Sequence, residues 1–282
     1  KTYNCTSSSC PDVAARLDDL LHAAVNGHGE FVSAHSPAEF ADGLASALSQ
    51  IVQRTSSFSN VATNSTSLNT GSQVFAASYV SSLWTGKVAA YPVTHSGGLS
   101  STASWTSSIP AYGSRNVFTF NGSSGTTFPT STQTSALDRS GVGPANYEVS
   151  GADNANYIKG DPSKEERNGG LLRSRVTTVL GDIVDSSPAY QPSTKTLYVG
   201  ANDGMLHAFD ATNGKELFAY VPNIINFANL SLLSRGDYQH KFFVDGPVVI
   251  SPNTYISGKN YLVGTLGRGG KGVYALDVTT PA

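Results

Sequence analysis

Charged side chains are scarce in this 282-residue chain, because Asp, Glu, Lys and Arg make up only 13% of it. That is about half the share usual in globular proteins. The formal net charge is −2, so the chain has no basic field for nucleic acid, which is excluded as a partner. No apolar run reaches the length of a membrane span. Ser, Thr, Gly and Asn fill the surface instead, a composition common in secreted and cell-surface proteins.

Cysteine is nearly absent, with Cys5 and Cys10 as the two in the chain. Their spacing permits a small disulfide loop, and a thiol pair or half of a metal site is the competing interpretation. No second Cys/His pair has zinc-ligand spacing, which disfavours the metal, and export would favour the disulfide. No signal peptide is visible and the first residue is Lys1, so we expect a processed protein or an internal fragment.

The motifs of common enzyme classes are missing too. GxSxG, HExxH and paired catalytic carboxylates do not occur in the sequence. Gly267–Gly272 matches the dinucleotide string GxGxxG, but a strand follows it, whereas phosphate binding needs a helix N-terminus. Asp153–Asn156 begins like a calcium loop but has Ala155 at the third ligand position, so we reject it. We predict no enzyme activity, no cofactor and no metal site in this chain.

What the chain does contain is a set of short β-strands, most clearly in Thr196–Pro222. Thr196–Gly200, Met205–Phe209 and Leu217–Val221 are β-rich runs, and Ser186–Gln191 supplies a plausible fourth strand. Four antiparallel strands at this spacing predict one blade of a β-propeller.

Two tight turns separate these strands. Asp203-Gly204 forms the first turn and Asp210 to Gly214 the second, because Asp, Asn and Gly tolerate the positive φ that such turns need. We predict that both glycines are structural and that the two aspartates cap the turns.

The blade pattern recurs along the chain. Asn260–Val278 repeats the order of strand, glycine loop and strand, and Gln73–Val93 is a weaker copy with Ala103–Ile109 as its outer strand. Repeats of this size favour radial or solenoid stacking, since one blade cannot bury both faces alone. Unrelated hairpins of a β-sandwich are the alternative. The last copy stops at Ala282 before an outer strand, so we expect an incomplete propeller.

The start of the chain is different. Apolar spacing predicts a helix over Pro11–Asn26, a strand over Glu30–Ala34 and a second helix that begins after a capping box at Ser36. Helix, strand, helix is the end of an α/β domain whose remainder lies upstream. Thr55–Thr70 is predicted as a polar connector.

Two further stretches between the blade copies are predicted as irregular. Asn121–Gln133 is rich in Gly, Ser and Thr and is predicted as a loop, and Leu137–Arg167 has turn residues throughout with no clear periodicity. Arg173–Tyr190 returns to strand character.

Several unusual strings together resemble the PilY/PilC family of type IV pilus proteins. Leu20–Ser33 and Asn64–Ser72 resemble the segment that joins the family's von Willebrand A-like domain to its propeller. The other strings lie in the blades: Leu180–Pro188, Tyr198–Asp210, Phe243–Pro247 and Gly267–Asp277.

This resemblance implies an architecture and a role. Residues 1–54 would end a von Willebrand A-like domain, 55–71 would be a linker, and 72–282 would be the first blades of the propeller. The protein would be exported to the pilus tip and outer surface of a Gram-negative bacterium. There it would bind pilus subunits, support assembly against retraction and mediate adhesion. The family's calcium loop would lie beyond Ala282.

The tripeptide Arg235-Gly236-Asp237 is a candidate integrin or receptor contact, with Asp237 completing a metal site on the receptor. An ordinary glycine turn is the alternative. Between hydrophobic flanks, we expect Arg235 and Asp237 to point in opposite directions. Lys159-Gly160-Asp161 is a weaker candidate of the same kind.

Two other functions stay open. Quinone-dependent dehydrogenases also carry blades with such strings, but they need a calcium site, a catalytic Asp and stacking Trp residues, and this chain has only Trp84 and Trp105. A propeller scaffold with no adhesive role is the other.

Overall fold

The computed structural model describes His22 and residues 56–63, 72–95 and 98–281. The chain divides between Thr55 and Ser56 into two units, and only the second is described below. The predictions for residues 1–54, including the helix–strand–helix segment and the pair Cys5 and Cys10, lie outside the described residues.

Sheet 1 has four antiparallel strands in the order β1-β2-β3-β4. Their bounds are Ser56–Thr63 (β1), Gln73–Val80 (β2), Thr85–Pro92 (β3) and Trp105–Thr106 (β4). The predicted polar connector is therefore wrong over β1, which pairs with β2 along its length. A β-ladder is made by backbone groups, so a polar sequence can still form a strand when a partner is present. The predicted outer strand is reduced to the two residues of β4.

Sheet 2 contains the blade that was predicted over Thr196–Pro222. Its strands are Val117–Phe120 (β5), Gly125–Thr127 (β6), Ala189–Gln191 (β7), Thr196–Gly200 (β8), Leu206–Asp210 (β9) and Glu216–Val221 (β10). The order is β6-β5-β10-β9-β8-β7, and β7 to β10 pair antiparallel as predicted. The hairpin β5–β6 joins in parallel to β10, so the predicted loop at Asn121–Gln133 is wrong where β6 lies.

Sheet 3 corresponds to the predicted copy at Asn260–Val278. It consists of Val248–Ile250 (β11), Tyr261–Thr265 (β12) and Val273–Asp277 (β13), all antiparallel. Each sheet thus repeats one arrangement, in which β2, β8 and β12 are followed by a turn and by β3, β9 and β13.

An insert of short helices lies between β6 and β7. Its α-helices are Ser131–Leu137 (α1) and Gly151–Ile158 (α2), and a third helix, Phe227–Leu230 (α3), follows β10. Thr130 and Gln133 form a capping box on α1, and Ser150 caps α2. The irregular chain predicted for Leu137–Arg167 is wrong over α2, where the cap is a clearer signal than the weak apolar periodicity. Short 3₁₀-helices lie at Tyr112–Ser114, Ala145–Tyr147, Glu166–Asn168, Ser231–Ser234 and Gly267–Gly269.

The strand predicted across Arg173–Tyr190 is wrong for most of its length. Only β7 is a strand, and single bridges join Leu172 to Glu165 and Gly181 to Thr85. The rest of this segment is irregular, and part of it contacts all three sheets, as described below.

Two apolar clusters form the core. Phe75 and Val88 of sheet 1 pack with Leu197 and Phe209 of sheet 2, and the ring of Trp105 closes that cluster. The second cluster joins sheet 2, the insert and sheet 3, with these fully buried members among others: Leu137, Ile158, Tyr198, Leu206, Leu262. Among the described residues, no helix has the length and apolar character needed to cross a membrane.

Candidate functional site

The segment from residue 178 to residue 186, here called the clamp, lies where the blade strings of the family resemblance meet. Gly181 of the clamp donates to Asp203 in the β8–β9 turn. The second half of the clamp donates to Asp245, which lies just before β11. The N–H of Asp245 in turn donates to Leu266 O, 3.4 Å away, beside the β12–β13 loop. The four strings, which are spread over residues 180–277, therefore form one contiguous region.

Asp245 holds the clamp from one side. Its Oδ1 accepts from the backbone N–H groups of Val184, Asp185 and Ser186 at 3.0, 3.1 and 3.3 Å. The side chain is buried, and its second oxygen, Oδ2, has no partner among the described residues. Burial raises the pKa of Asp245, and the three backbone donors oppose that shift. The carboxylate of Asp245 thus fixes a stretch of backbone that lies about 60 positions earlier in the chain.

Asp203 holds the clamp from the other side. Its Oδ2 accepts from Gly181 N–H at 3.0 Å, and its Oδ1 accepts from Met205 N–H at 3.2 Å. One carboxylate therefore closes the β8–β9 turn and ties that turn to the clamp. Asn202 adds a second tie, because its Nδ2 donates to Asp182 Oδ2 at 2.9 Å.

Asp203 also belongs to a buried group of four charged side chains, which we call the ion quartet: Arg115, Asp203, His207 and Glu216. His207 Nε2 lies 3.1 Å from Asp203 Oδ1, and its Nδ1 lies 2.7 Å from Glu216 Oε1. Arg115 binds Glu216 through both of its carboxylate oxygens, at 2.7 and 2.9 Å. The side chains are at most 6% exposed, so water scarcely screens these pairs.

The quartet is built to keep all four groups charged. Burial alone would lower the pKa of His207, but the charge of Asp203 and the hydrogen bonds to Asp203 and Glu216 outweigh it and raise that pKa to about 9. Burial would likewise raise the pKa of each acid, yet the pKa values of Asp203 and Glu216 are lowered by His207 and Arg115. Two positive and two negative charges then cancel inside the fold.

A second polar cluster lies at the turn between β2 and β3. The Trp84 ring stacks on the His240 ring with 3.8 Å between centroids, and Trp84 has a left-handed φ of 52°. His240 Nε2 lies 2.8 Å from the buried carboxylate of Asp182. Phe242 meets His240 edge-on, and the Arg268 guanidinium lies 5.0 Å from the Phe242 ring centre. The clamp therefore also reaches sheet 1 through an aromatic stack.

The tripeptide predicted as a receptor contact lies after the 3₁₀-helix Ser231–Ser234. The prediction that its charged side chains diverge is wrong: Arg235 Nε and Nη2 donate to Asp237 Oδ1 and Oδ2, both at 2.8 Å. The guanidinium also lies 4.3 Å from the ring centre of Tyr147 in the insert. Opposite charges only two residues apart can form an ion pair with each other, which draws the two side chains together. The Asp237 side chain is nevertheless 47% exposed.

The predicted turn residues occupy the turns. Gly204 and Gly214 have φ values of +93° and +77°. Asp210 Oδ1 accepts from Thr212 N–H at 2.8 Å within the second turn. A side chain at Gly214 would also meet the Trp105 ring, with a Cβ only 2.4 Å from its Cε3.

Sequence reasoning missed most of these clusters. His207 lies in the predicted strand Met205–Phe209, and nothing near it in the sequence points to Arg115, which is 92 positions earlier. A usable signal was present in Glu216, a charged residue directly before the predicted strand Leu217–Val221. The described residues contain no cluster of three or more His, Cys, Asp or Glu that could bind a metal ion.

The part of the chain that matches a known family begins at the first residue of the clamp. A family model described as the PilY1 beta-propeller domain matches residues 178–282. Residues 178–282 belong to the PilY1 β-propeller family. The predicted resemblance and the mainly β propeller class are thereby confirmed, while the von Willebrand A-like part stays a prediction. The match begins at the clamp, so the clamp, sheet 3 and strands β7 to β10 are propeller elements.

The similarity to PilY1 proteins extends over nearly the whole chain. A type IV pilus biogenesis factor PilY1 homolog from Xylella fastidiosa (strain Temecula1) is 33% identical over 94% of this chain and 24% of its own length. The PilY1 proteins of Pseudomonas aeruginosa strains UCBPP-PA14 and PAK are 32% and 34% identical, over 93% and 94% of this chain and 26% and 27% of their own lengths. The chain spans about a quarter of the length of these relatives. No solved structure matches it.

Proposed function

We propose that the chain is the propeller-bearing segment of a type IV pilus biogenesis factor. The main support for this proposal is the 32–34% sequence identity to proteins of that name along more than nine-tenths of the chain. The clamp supports it, since the resembling strings are the ones that bind the blades together. The protein would be exported to the outer surface of a Gram-negative bacterium, bind pilus subunits there and support pilus assembly against retraction.

Gene deletion in the source bacterium tests this proposal. Cells without the gene should lose surface pili and twitching, and the full-length gene supplied in trans should restore both. If the protein opposes retraction, pili should reappear when the retraction motor is also removed. Normal piliation in the single deletion would contradict the proposal, and absence of pili in the double deletion would restrict the role to assembly.

We further propose that Arg235-Gly236-Asp237 mediates attachment to host cells. The exposed carboxylate of Asp237 supports it, but an integrin would first have to separate that carboxylate from Arg235, 2.8 Å away. Asp237→Glu should abolish integrin binding, because it moves the metal-binding oxygen by one methylene and metal ligation tolerates only about 0.2 Å. Asp161→Glu in the weaker Lys-Gly-Asp string is the matched control and should leave binding unchanged.

Surface plasmon resonance of the full-length protein against purified integrin, with and without divalent metal, measures both variants. Equal binding by the wild type and Asp237→Glu would show that the tripeptide is only a turn. The same result would leave the pilus role intact, because that role is tested by piliation.

A further inference from the structure

Three Asn-Gly pairs lie in the described part of the chain: Asn121-Gly122, Asn168-Gly169 and Asn213-Gly214. In such a pair, the backbone nitrogen of Gly can attack the side-chain amide of Asn, because no Gly side chain obstructs it. We propose that Asn121 is a self-modifying site that converts to aspartate and isoaspartate, while the fold protects the other two asparagines.

The attacking group is available at the first pair. Gly122 lies at the exposed tip of the β5–β6 hairpin with a φ of +103°, and apart from its two chain neighbours no described residue has an atom within 4 Å of the place where a side chain would begin. Within the described residues, no hydrogen bond holds its backbone N–H. The nitrogen can therefore turn toward the side chain of Asn121 at little cost.

The amide of Asn121 is also prepared for attack. Its Oδ1 accepts from Ser123 N–H and Ser124 N–H, both at 2.9 Å, and from Ser123 Oγ at 3.0 Å. Negative charge develops on this oxygen when a nucleophile adds to the amide carbon. Fixed donors around such an oxygen stabilise the charge, as in an oxyanion hole. Ser124 Oγ, 3.4 Å from Nδ2, stands beside the leaving nitrogen.

Asn168 presents the opposite arrangement. Gly169 N–H already donates to Glu166 O at 3.0 Å, and Asn168 Nδ2 donates to Pro162 O at 2.8 Å. Attack would break both hydrogen bonds, and among the described residues no donor is placed to stabilise the side-chain oxygen in return.

Asn213 is held more firmly still. Gly214 N–H donates to Asp210 O at 2.8 Å, and Asn213 Nδ2 donates to Asp210 Oδ2 at 2.8 Å. Gly214 is also buried against the Trp105 ring. The nitrogen cannot reach the amide without opening the turn.

The reaction needs only water. Gly122 N loses its proton to solvent and bonds to Asn121 Cγ, and the Cγ–Nδ2 bond breaks to release ammonia. The resulting cyclic imide adds water at either carbonyl, which leaves either an ordinary aspartate or an isoaspartyl linkage at this position. The aspartate product keeps an oxygen for the two backbone donors, so the turn can tolerate the change.

Peptide mapping of the purified chain tests the proposal. Trypsin places the three asparagines in separate peptides, because Arg139, Arg167 and Lys195 lie between them. Mass spectrometry then follows the amide-to-acid conversion at each site in the folded chain and in urea at the same pH. The folded-to-unfolded rate ratio should be one or higher at Asn121 and about tenfold or more below one at Asn168 and Asn213.

A ratio below one at Asn121 would overturn the proposal. Gly122→Ala supplies an independent check, since a methyl group at the attacking residue should slow conversion of Asn121 by about tenfold or more. Circular dichroism confirms that this variant folds, and an unchanged rate in the folded variant would exclude the imide route. Neither result depends on the pilus role, which is tested in cells.

Discussion

At the scale of single residues, the ion quartet is the feature with the largest energetic consequence. Removing one member of a buried ion pair leaves an uncompensated charge, which costs about 3–5 kcal/mol. We therefore expect Arg115→Met to lower the free energy of unfolding by that amount, because Glu216 then keeps only His207 as a charged partner.

Urea unfolding measures this loss and the interaction energy between Arg115 and Glu216. The four proteins to compare are the wild type, Arg115→Met, Glu216→Gln and the double variant. The double variant should lose much less than the sum of the two single losses, since both act on one pair. Additive losses would show that Arg115 and Glu216 stabilise the fold independently.

The quartet also predicts how stability changes with pH. The pKa of His207 is raised to about 9 in the folded chain, above its ordinary value of 6.5. The folded state thus binds the proton more tightly, so this contribution is complete below pH 6.5 and is lost as pH rises through about 9. Asp203 and Glu216 have lowered pKa values, so their contributions are present above their ordinary values of 3.8 and 4.5 and are lost in acid.

Stability should therefore fall between pH 6.5 and 9, and His207→Gln should remove most of that slope. Melting temperatures across this pH range in both proteins check the prediction. A slope that is the same in His207→Gln would mean that another group titrates there.

At the scale of elements, the turn between β9 and β10 combines backbone conformation with packing. Gly214→Val would place a β-branched residue at a φ of +77° and drive its side chain into the Trp105 ring. Strain of this kind costs about 1–3 kcal/mol, and the clash adds to it. We expect a clear loss of melting temperature, whereas Gly113→Val, at a position with no atom within 4 Å, should lose little. Equal losses in the two variants would contradict this account.

The elements also show how far the sequence determines the structure. Strands β7 to β10 were predictable because β-rich runs alternate with Asp-Gly and Asn-Gly turns. The parallel pairing of β5 with β10 was not, since the two strands are joined by about a hundred residues and no local signal records the partner. In the candidate site, the aspartates of the two turns could be predicted from the sequence. Arg115, Asp182 and His240 could not, because they act through tertiary contacts that the spacing of residues along the sequence does not reveal.

At the scale of the whole molecule, the prediction that calcium binds outside this chain is open to a direct test. The family resemblance implies a calcium site outside this chain, and the described residues hold no cluster of likely ligands. Calcium stabilises a protein only if it binds the folded form. The melting temperature of this chain should therefore be the same in calcium and in EDTA, while that of the full-length protein should rise with calcium. A calcium-dependent shift in this chain would place a site within it.

Side-chain hydrogen bonds between residues far apart in the sequence have a consequence for how the chain acquires its structure. Trp105 donates to Ala211 O, Arg115 binds Glu216, and Thr119 donates to Val221 O, across 106, 101 and 102 positions. Contacts between residues so far apart in sequence form slowly, because the entropy cost of closing a long loop comes before the contacts can stabilise the fold. Residues 105–120 cannot complete these contacts until residues 211–221 are also free to fold. Until then, the edge of β5 that pairs with β10 is free, and an unpaired edge of this kind favours aggregation.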